Sequence, residues 1–388
     1  MAALGQKWGA KMTCGVLKKG SEVASGVSGE TRGFDFEGMR FGVKAWRASA
    51  SGAREGGALS APIVLVHGFA QQASIWDKVA LSLSRAGVEC FAFELAGHGA
   101  GACSAGGDPA ERPDFFDLCF QARALLAFCR VVARDAGVAP VLVGYSMGGR
   151  VALQAACLAA GDLRDGGELD RISLRSSAAF APCDRTGRLD VAGVGQRDTA
   201  ATSVGEAVQM SAVVPFSALV LESAGLGPVD DAAREALHER NFAWAARVRG
   251  EGVSAFMDWW AGLSLFESQR NLGNDQRKRL RAGRLANDME SLALSFERAG
   301  AHAMPSQGES IRALCELAAK GIPVSYLAGE LDAKYCKVLA DLRADSHDAV
   351  SCRAVPAAGH NIHLEQPEVF ASILKEVVES CTPEPAAS

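Results

Sequence analysis

The stretch Val141-Leu142-Val143-Gly144-Tyr145-Ser146-Met147-Gly148-Gly149-Arg150-Val151-Ala152-Leu153 decides how the rest of the chain is read. Three apolar residues run into Gly144-Tyr145-Ser146-Met147-Gly148, and a small-residue amphipathic run follows. That order predicts a buried strand, a tight turn and a helix, with Ser146 at the apex. Glycines flank the serine because strand and helix backbones approach each other there and leave no room for a Cβ. Raised on such a turn, the hydroxyl stands clear of the sheet, and the helix N-terminus aims backbone N–H groups at whatever it attacks. Ser146 is therefore the candidate catalytic residue; the alternative is a serine in an ordinary strand-to-helix turn.

Outward from this point the chain alternates. Pro62-Ile63-Val64-Leu65-Val66 is a continuous apolar run, as in a strand buried on both faces, and it ends in His67-Gly68-Phe69. A helix is predicted around Trp76–Arg85, a second buried strand over Val88–Leu95, and a long amphipathic helix over Asp114–Arg134. The helix after Ser146 is expected to reach about Ala160. Upstream, the alternation from Phe34 to Arg47 reads as two short strands turning near Glu37-Gly38. Downstream, strands are expected at Ser217–Glu222, Ile322–Ala328 and Val350–Pro356, with a final helix at Pro367–Val378.

Strand and helix in alternation imply an α/β fold: a mostly parallel sheet with helices on both faces. Residues 34–224 and 305–388 are assigned to this core. Residues 225–304 change character, with helical periodicity, Trp244, Trp259, Trp260 and many arginines, and are expected to form an inserted helical cap. Residues 161–211 mix Gly, Asp, Arg, Ser and Thr and are expected to be a mobile insertion. Residues 1–33 are expected to be a poorly ordered extension. Lys7, Lys11, Lys18 and Lys19 precede the first acid, Glu22, which leaves a targeting segment as the lesser reading.

The 388 residues are 48% hydrophobic and 22% charged, ordinary for a soluble globular chain. A net charge of −5 gives no reason to expect nucleic acid or an anionic membrane as partner. No apolar stretch approaches the length of a membrane span. The 11 cysteines are scattered, without paired or metal-ligand spacing. Cys90, Cys129 and Cys157 lie in apolar runs and read as buried thiols of a reducing, cytoplasmic compartment. No disulfide framework and no metal site are expected, and nothing in the pattern specifies an oligomeric state.

A serine that does chemistry needs a base, and the base needs an acid to orient it. On folds of this kind the chain order is serine, acid, histidine. Asp332 leaves the strand Tyr326-Leu327-Ala328-Gly329 at its turn, and His360 follows Ala357-Ala358-Gly359 after the last strand. Glu330 is the alternative acid and His363 the alternative base. The oxyanion hole is expected from the backbone N–H groups of Phe69 and Met147. His67 and His98 read as loop-shaping residues.

These motifs make the chain resemble the α/β-hydrolase superfamily from His67-Gly68 to His360. Their dressing is similar to one family within it, the 2-succinyl-6-hydroxy-2,4-cyclohexadiene-1-carboxylate synthases of menaquinone biosynthesis. The likeness lies in Gly144–Arg150, Glu222-Ser223-Ala224-Gly225-Leu226, Trp260-Ala261-Gly262-Leu263-Ser264-Leu265-Phe266 and Arg284-Leu285-Ala286-Asn287-Asp288. It continues in Gly329–Tyr335 and Gly359–Glu365. The resemblance implies a carbon–oxygen lyase. It would eliminate pyruvate from 2-succinyl-5-enolpyruvyl-6-hydroxy-3-cyclohexene-1-carboxylate, with the serine as base and neither metal nor organic cofactor. It also implies substrate contacts from Tyr145, Arg150, Trp260 and Arg284, with Arg234 and Arg240 competing for one further position. Ser264 and Glu94-Leu95-Ala96-Gly97 depart from the family's pattern.

The residues themselves point to a small-molecule polycarboxylate. Arg150 stands one helical turn after Ser146, on the same helix face, and guanidinium groups grip carboxylates bidentately. The plainer readings are a surface salt bridge for Arg150, a solvated basic run for Arg284 and cap core for Trp260. Two rival functions remain: a serine hydrolase of esters or carbon–carbon bonds that forms an acyl-enzyme, and a non-catalytic small-molecule receptor.

Overall fold

The computed structural model describes residues 29–49, 60–99, 109–164 and 214–381. Most of the expected N-terminal extension, and the expected insertion from residue 165 onward, lie outside these. Eight strands form one sheet, β1 (Glu30–Phe36), β2 (Met39–Trp46), β3 (Ile63–Val66), β4 (Cys90–Phe93), β5 (Val141–Tyr145), β6 (Ala218–Glu222), β7 (Val324–Gly329) and β8 (Ser351–Val355). Their spatial order is β1-β2-β4-β3-β5-β6-β7-β8. The β1–β2 hairpin is antiparallel, as is the pairing of β2 with β4; every other pair is parallel.

The first strand corrects one boundary. β1 begins at Glu30, inside the stretch expected to be poorly ordered. Its charged start reads as solvated, but hairpin register places Glu30 opposite Ala45, and Arg32 donates to Glu30 at 2.9 Å.

The helices among the described residues are α1 (Asp77–Arg85), α2 (Leu118–Ala136), α3 (Met147–Arg164), α4 (Asp231–Ala261), α5 (Asn274–Leu285), α6 (Met289–Ala299), α7 (Gln307–Ala319), α8 (Ala333–Asp345), α9 (Ile362–Glu365) and α10 (Pro367–Ser380). Because strand side chains alternate in direction, each central strand feeds two cores. Leu142, Leu219, Leu221 and Tyr326 pack with α2, α3, α7 and α8. Val141, Val143, Tyr145 and Val220 pack with α1 and α10 on the opposite face.

Helices α4 to α6 leave the sheet between β6 and β7 and carry an aromatic core of their own, in which Phe256, Trp260, Phe266 and Phe296 pack against Ala70 of the loop after β3. The guanidinium of Arg249 on α4 reaches Glu290 at 2.6 Å and also pairs with Glu297, both on α6. α4 bends at Gly252, whose φ of 78° no other residue type adopts readily. None of the described helices is long and apolar enough to cross a membrane.

Cys90 and Cys129 are buried free thiols, and burial pushes Cys129 up to about 12, which leaves it unreactive. Cys119 is disulfide-bonded, where the scattered cysteines had given no sign of a disulfide framework.

The strand order reverses at β3, which lies between β4 and β5. The loops after β3 and β5 therefore diverge at one edge of the sheet, where open α/β sheets bind ligands.

Candidate active site

Ser146 occupies that divergence with φ of 50°, a left-handed conformation that costs a non-glycine residue strain. Its N–H donates to the carbonyl of Glu222 on β6 at 2.9 Å, which holds the turn. The glycines around it are sterically required. A Cβ on Gly148 would lie 2.4 Å from the carbonyl oxygens of Val66 and His67, and one on Gly144 would lie 2.7 Å from the Gly148 carbonyl.

Asp332 caps α8, accepting from the Tyr335 N–H at 3.2 Å through Oδ1. Its Oδ2 lies 2.8 Å from His360 Nδ1, and His360 Nε2 lies 3.2 Å from Ser146 Oγ. A carboxylate only accepts, so Nδ1 carries the proton and donates to Asp332. Nε2 is then free to accept from the serine hydroxyl. Asp332 and His360 are both buried, so water does not compete for this line of hydrogen bonds.

The alternatives at these positions have other partners. Glu330 is exposed and accepts from the Ala357 N–H. His363 Nδ1 donates to the carboxylate of Glu222 at 2.8 Å, and the His363 backbone N–H donates to the same group at 3.1 Å. Both side chains of that pair are fully buried, and the Trp76 ring packs against the imidazole at 4.0 Å between ring centres, tilted by 34°. Tyr145 lies beneath both histidines, its ring 5.3 Å from His360 and 4.7 Å from His363. Burial pushes its phenol well above the usual range.

Met147 opens α3, so its N–H has no acceptor within the helix. The N–H of Phe69 has no partner among the described residues. His67 shapes the loop between them: its Nε2 accepts from the Leu95 N–H at 3.1 Å and its Nδ1 donates to Gly68 at 2.8 Å. Burial, with His98 nearby, drops His67 to about 3, and burial drops His98 to about 4, so neither ring is charged near neutrality.

Of the expected substrate residues, three arginines are brought to this end of the sheet. Arg150 is lowered to about 10, chiefly by burial, with Arg240 adding to the effect and the Tyr335 phenol opposing it. Arg240 lies over the Trp244 ring at 4.6 Å. Arg284 is 6% exposed, despite its place in a basic run. It donates to Gln269 at 3.2 Å and lies 5.1 Å over the Phe266 ring, which in turn packs 5.8 Å from His360. The Nε atoms of Arg150, Arg240 and Arg284 are all buried without a hydrogen-bond partner.

Arg234 has protein partners. Its Nη1 donates to the carbonyls of His302 and Met304 at 2.6 and 2.7 Å, so it clamps the chain before α7. Trp260 is part of the aromatic core and touches the site indirectly, through Phe69 at 5.0 Å.

Sequence reasoning missed Tyr335, whose ring lies 4.8 Å from His360, and the Glu222–His363 pair. An acid closing the apolar run Ala218-Leu219-Val220-Leu221-Glu222 was the available signal for the pair. Among the described residues no three His, Cys, Asp or Glu side chains gather as a metal site requires.

Residues 63–373 match the model of the alpha/beta hydrolase family. A Citrobacter koseri 2-succinyl-6-hydroxy-2,4-cyclohexadiene-1-carboxylate synthase is 26% identical over 333 residues, 86% of this chain and 98% of that protein. A Bacillus subtilis (strain 168) protein that bears the same name provisionally is 32% identical over 166 residues, 42% of this chain and 57% of its own length. Among solved structures, MenH from S. aureus superposes with a TM-score of 0.60 at 21% identity, covering 87% of this chain and 98% of that one.

Proposed function

The chain belongs to the alpha/beta hydrolase family, and from the activity named for its relatives and the arginines at the site we propose that it is a carbon–oxygen lyase. It would convert 2-succinyl-5-enolpyruvyl-6-hydroxy-3-cyclohexene-1-carboxylate to 2-succinyl-6-hydroxy-2,4-cyclohexadiene-1-carboxylate and pyruvate. Asp332 holds His360 in the tautomer that accepts the Ser146 proton, and Ser146 removes a proton from the ring. The released electron pair forms the second ring double bond, the carbon–oxygen bond to the enolpyruvyl group breaks, and the departing enolate takes the proton held on His360 and tautomerises to pyruvate. The N–H groups of Phe69 and Met147 hold the negative charge that develops on the carboxyl-conjugated intermediate. Neither metal nor organic cofactor is required, and α4 to α6 serve as the cap over the site.

The observation that carries this reading is the set of three arginines. Arg150, Arg240 and Arg284 have no carboxylate partner among the described residues, and each has a buried Nε that bonds to nothing. Buried unpaired cations oppose folding unless a ligand supplies the counter-charge. A substrate with several carboxylates does so, and a neutral ester does not.

The serine-hydrolase reading keeps a specific observation in its favour, because Ser146, His360 and two free N–H groups also suit an acyl-enzyme. Pyruvate release from the synthetic enolpyruvyl substrate separates the two. Release by wild type that is lost in Ser146→Ala and Arg150→Ala is expected. Turnover of aryl esters without pyruvate release, indifferent to Arg150→Ala, would overturn the lyase.

A further inference from the structure

A cavity of about 370 Å³ opens between the sheet-bearing core and α5. Gln71, Gln72 and Lys78 line it from the core, while Gln276, Arg279 and Arg284 line it from α5. His363 and Leu364 of α9 complete the wall. Neither Ser146 nor His360 borders it, and Arg284 is the sole expected substrate residue that does.

The lining is cationic and underused. Lys78 and Arg279 are exposed and make no hydrogen bond or ion pair with any described residue. Arg284 and His363 are more than nine-tenths buried, and each retains a nitrogen without a partner: Nε of the arginine donates, and Nε2 of the imidazole, with the proton on Nδ1, accepts from a ligand hydroxyl. The one acid on the wall, Asp77, is already held by Lys44 at 2.7 Å. Gln276 is spent on the Leu364 carbonyl, but the Gln72 amide bonds to no described residue.

We propose that this cavity is a second ligand site, separate from the serine, that takes an organic polycarboxylate. Its volume suits a small organic molecule and not a lone inorganic ion. Arginine forks match carboxylate geometry, and the glutamine amide can pair with a carboxylate or a hydroxyl. Ile75, Leu280 and Leu364 on the wall would cover a carbon skeleton. A ligand reaching from Lys78 to Arg279 fastens α5 to the core. It also meets the far side of Arg284, whose guanidinium lies over Phe266 beside His360. The inference does not depend on the reaction proposed above, since wild type that released no pyruvate would still give the titration below.

The test is calorimetric titration with citrate at low ionic strength. Wild type is compared with the double variant Lys78→Gln, Arg279→Gln and with Arg150→Gln. Both residues of the double variant are exposed and outside the cores, so its fold should persist, with circular dichroism as the check. Citrate can also meet the Arg150 cluster, so Arg150→Gln serves as the background: it is expected to keep a citrate-binding event, which Lys78→Gln and Arg279→Gln added to it weaken at least about tenfold. Inorganic phosphate is expected to bind at least about tenfold more weakly than citrate, because it uses only part of the wall. A citrate isotherm left unchanged by Lys78→Gln and Arg279→Gln, or loss of all citrate binding in Arg150→Gln, would place the anion at the serine alone and overturn the proposal. Absence of any citrate heat with wild type would do the same. Phosphate binding as tightly as citrate would refute the polycarboxylate assignment.

Discussion

At the scale of single residues, the site combines a strained serine with hydrogen bonds that leave little freedom to its neighbours. Asp332 matters through the tautomer it imposes on His360 across 2.8 Å. Asp332→Asn can donate to the ring and so favours the wrong tautomer; kcat for pyruvate release is expected to fall by about 10⁴-fold with the fold intact. Gly148→Ala should act on stability instead, since its Cβ would lie 2.4 Å from the carbonyl oxygens of Val66, the last residue of β3, and of His67 just beyond it. A loss of at least about 2 kcal/mol in urea unfolding is expected. Ser146, Asp332 and His360 were legible because each follows a strand and announces itself locally. Arg284 was harder, because Arg277-Lys278-Arg279-Leu280-Arg281 around it is mostly solvated and only tertiary packing buries one member of the run. His363 could not be separated from His360 by spacing; what separates them is Glu222, 141 residues away in the chain.

At the scale of elements, the central strands β3 to β6 were read in place because buried parallel strands are continuous apolar runs, whereas strand ends are set by hydrogen bonding. The Asp114–Arg134 expectation shows the difference. Pro113–Phe116 is a separate 3₁₀ turn, and α2 begins at Leu118. The bend in α4 was invisible for a similar reason, as one glycine in a helical pattern does not disclose its φ. A Cβ at Gly252 would meet nothing within 4 Å, so Gly252→Ala isolates the backbone cost of its φ of 78°. A loss of about 1–2 kcal/mol is expected by thermal unfolding. Asn287, just after α5, joins elements distant in sequence by donating to the Ala70 carbonyl at 3.2 Å and to Gly283 and Arg284. Asn287→Ala should loosen the loop that presents the Phe69 N–H. The expected signature is about a tenfold loss in kcat with little change in KM.

At the scale of the whole molecule, acid stability follows from buried neutral histidines. His67 and His98 sit far below the ordinary histidine value in the folded state, at about 3 and about 4, and return to about 6.5 on unfolding. Unfolding therefore takes up protons below pH 6.5, and the stability present above that pH is lost progressively as pH falls toward 4. At pH 5 the loss is about 2 kcal/mol for each ring. Asp117, raised to about 6 by burial, opposes this, but its side chain is 43% exposed and solvent screens much of the effect. Urea midpoints at pH 7 and pH 5 are expected to differ in the direction of acid weakness, and His67→Gln should reduce the difference.

Glu222 has a consequence for motion at this same scale. Its carbonyl receives the N–H of Ser146 and its carboxylate receives two bonds from His363, three residues beyond His360. Serine and histidine loops, 214 residues apart in the chain, are thus referenced to one datum at the tip of β6. A displacement of the tip of β6 would carry both loops together as passengers of a common mount, and so preserve the 3.2 Å between Ser146 Oγ and His360 Nε2.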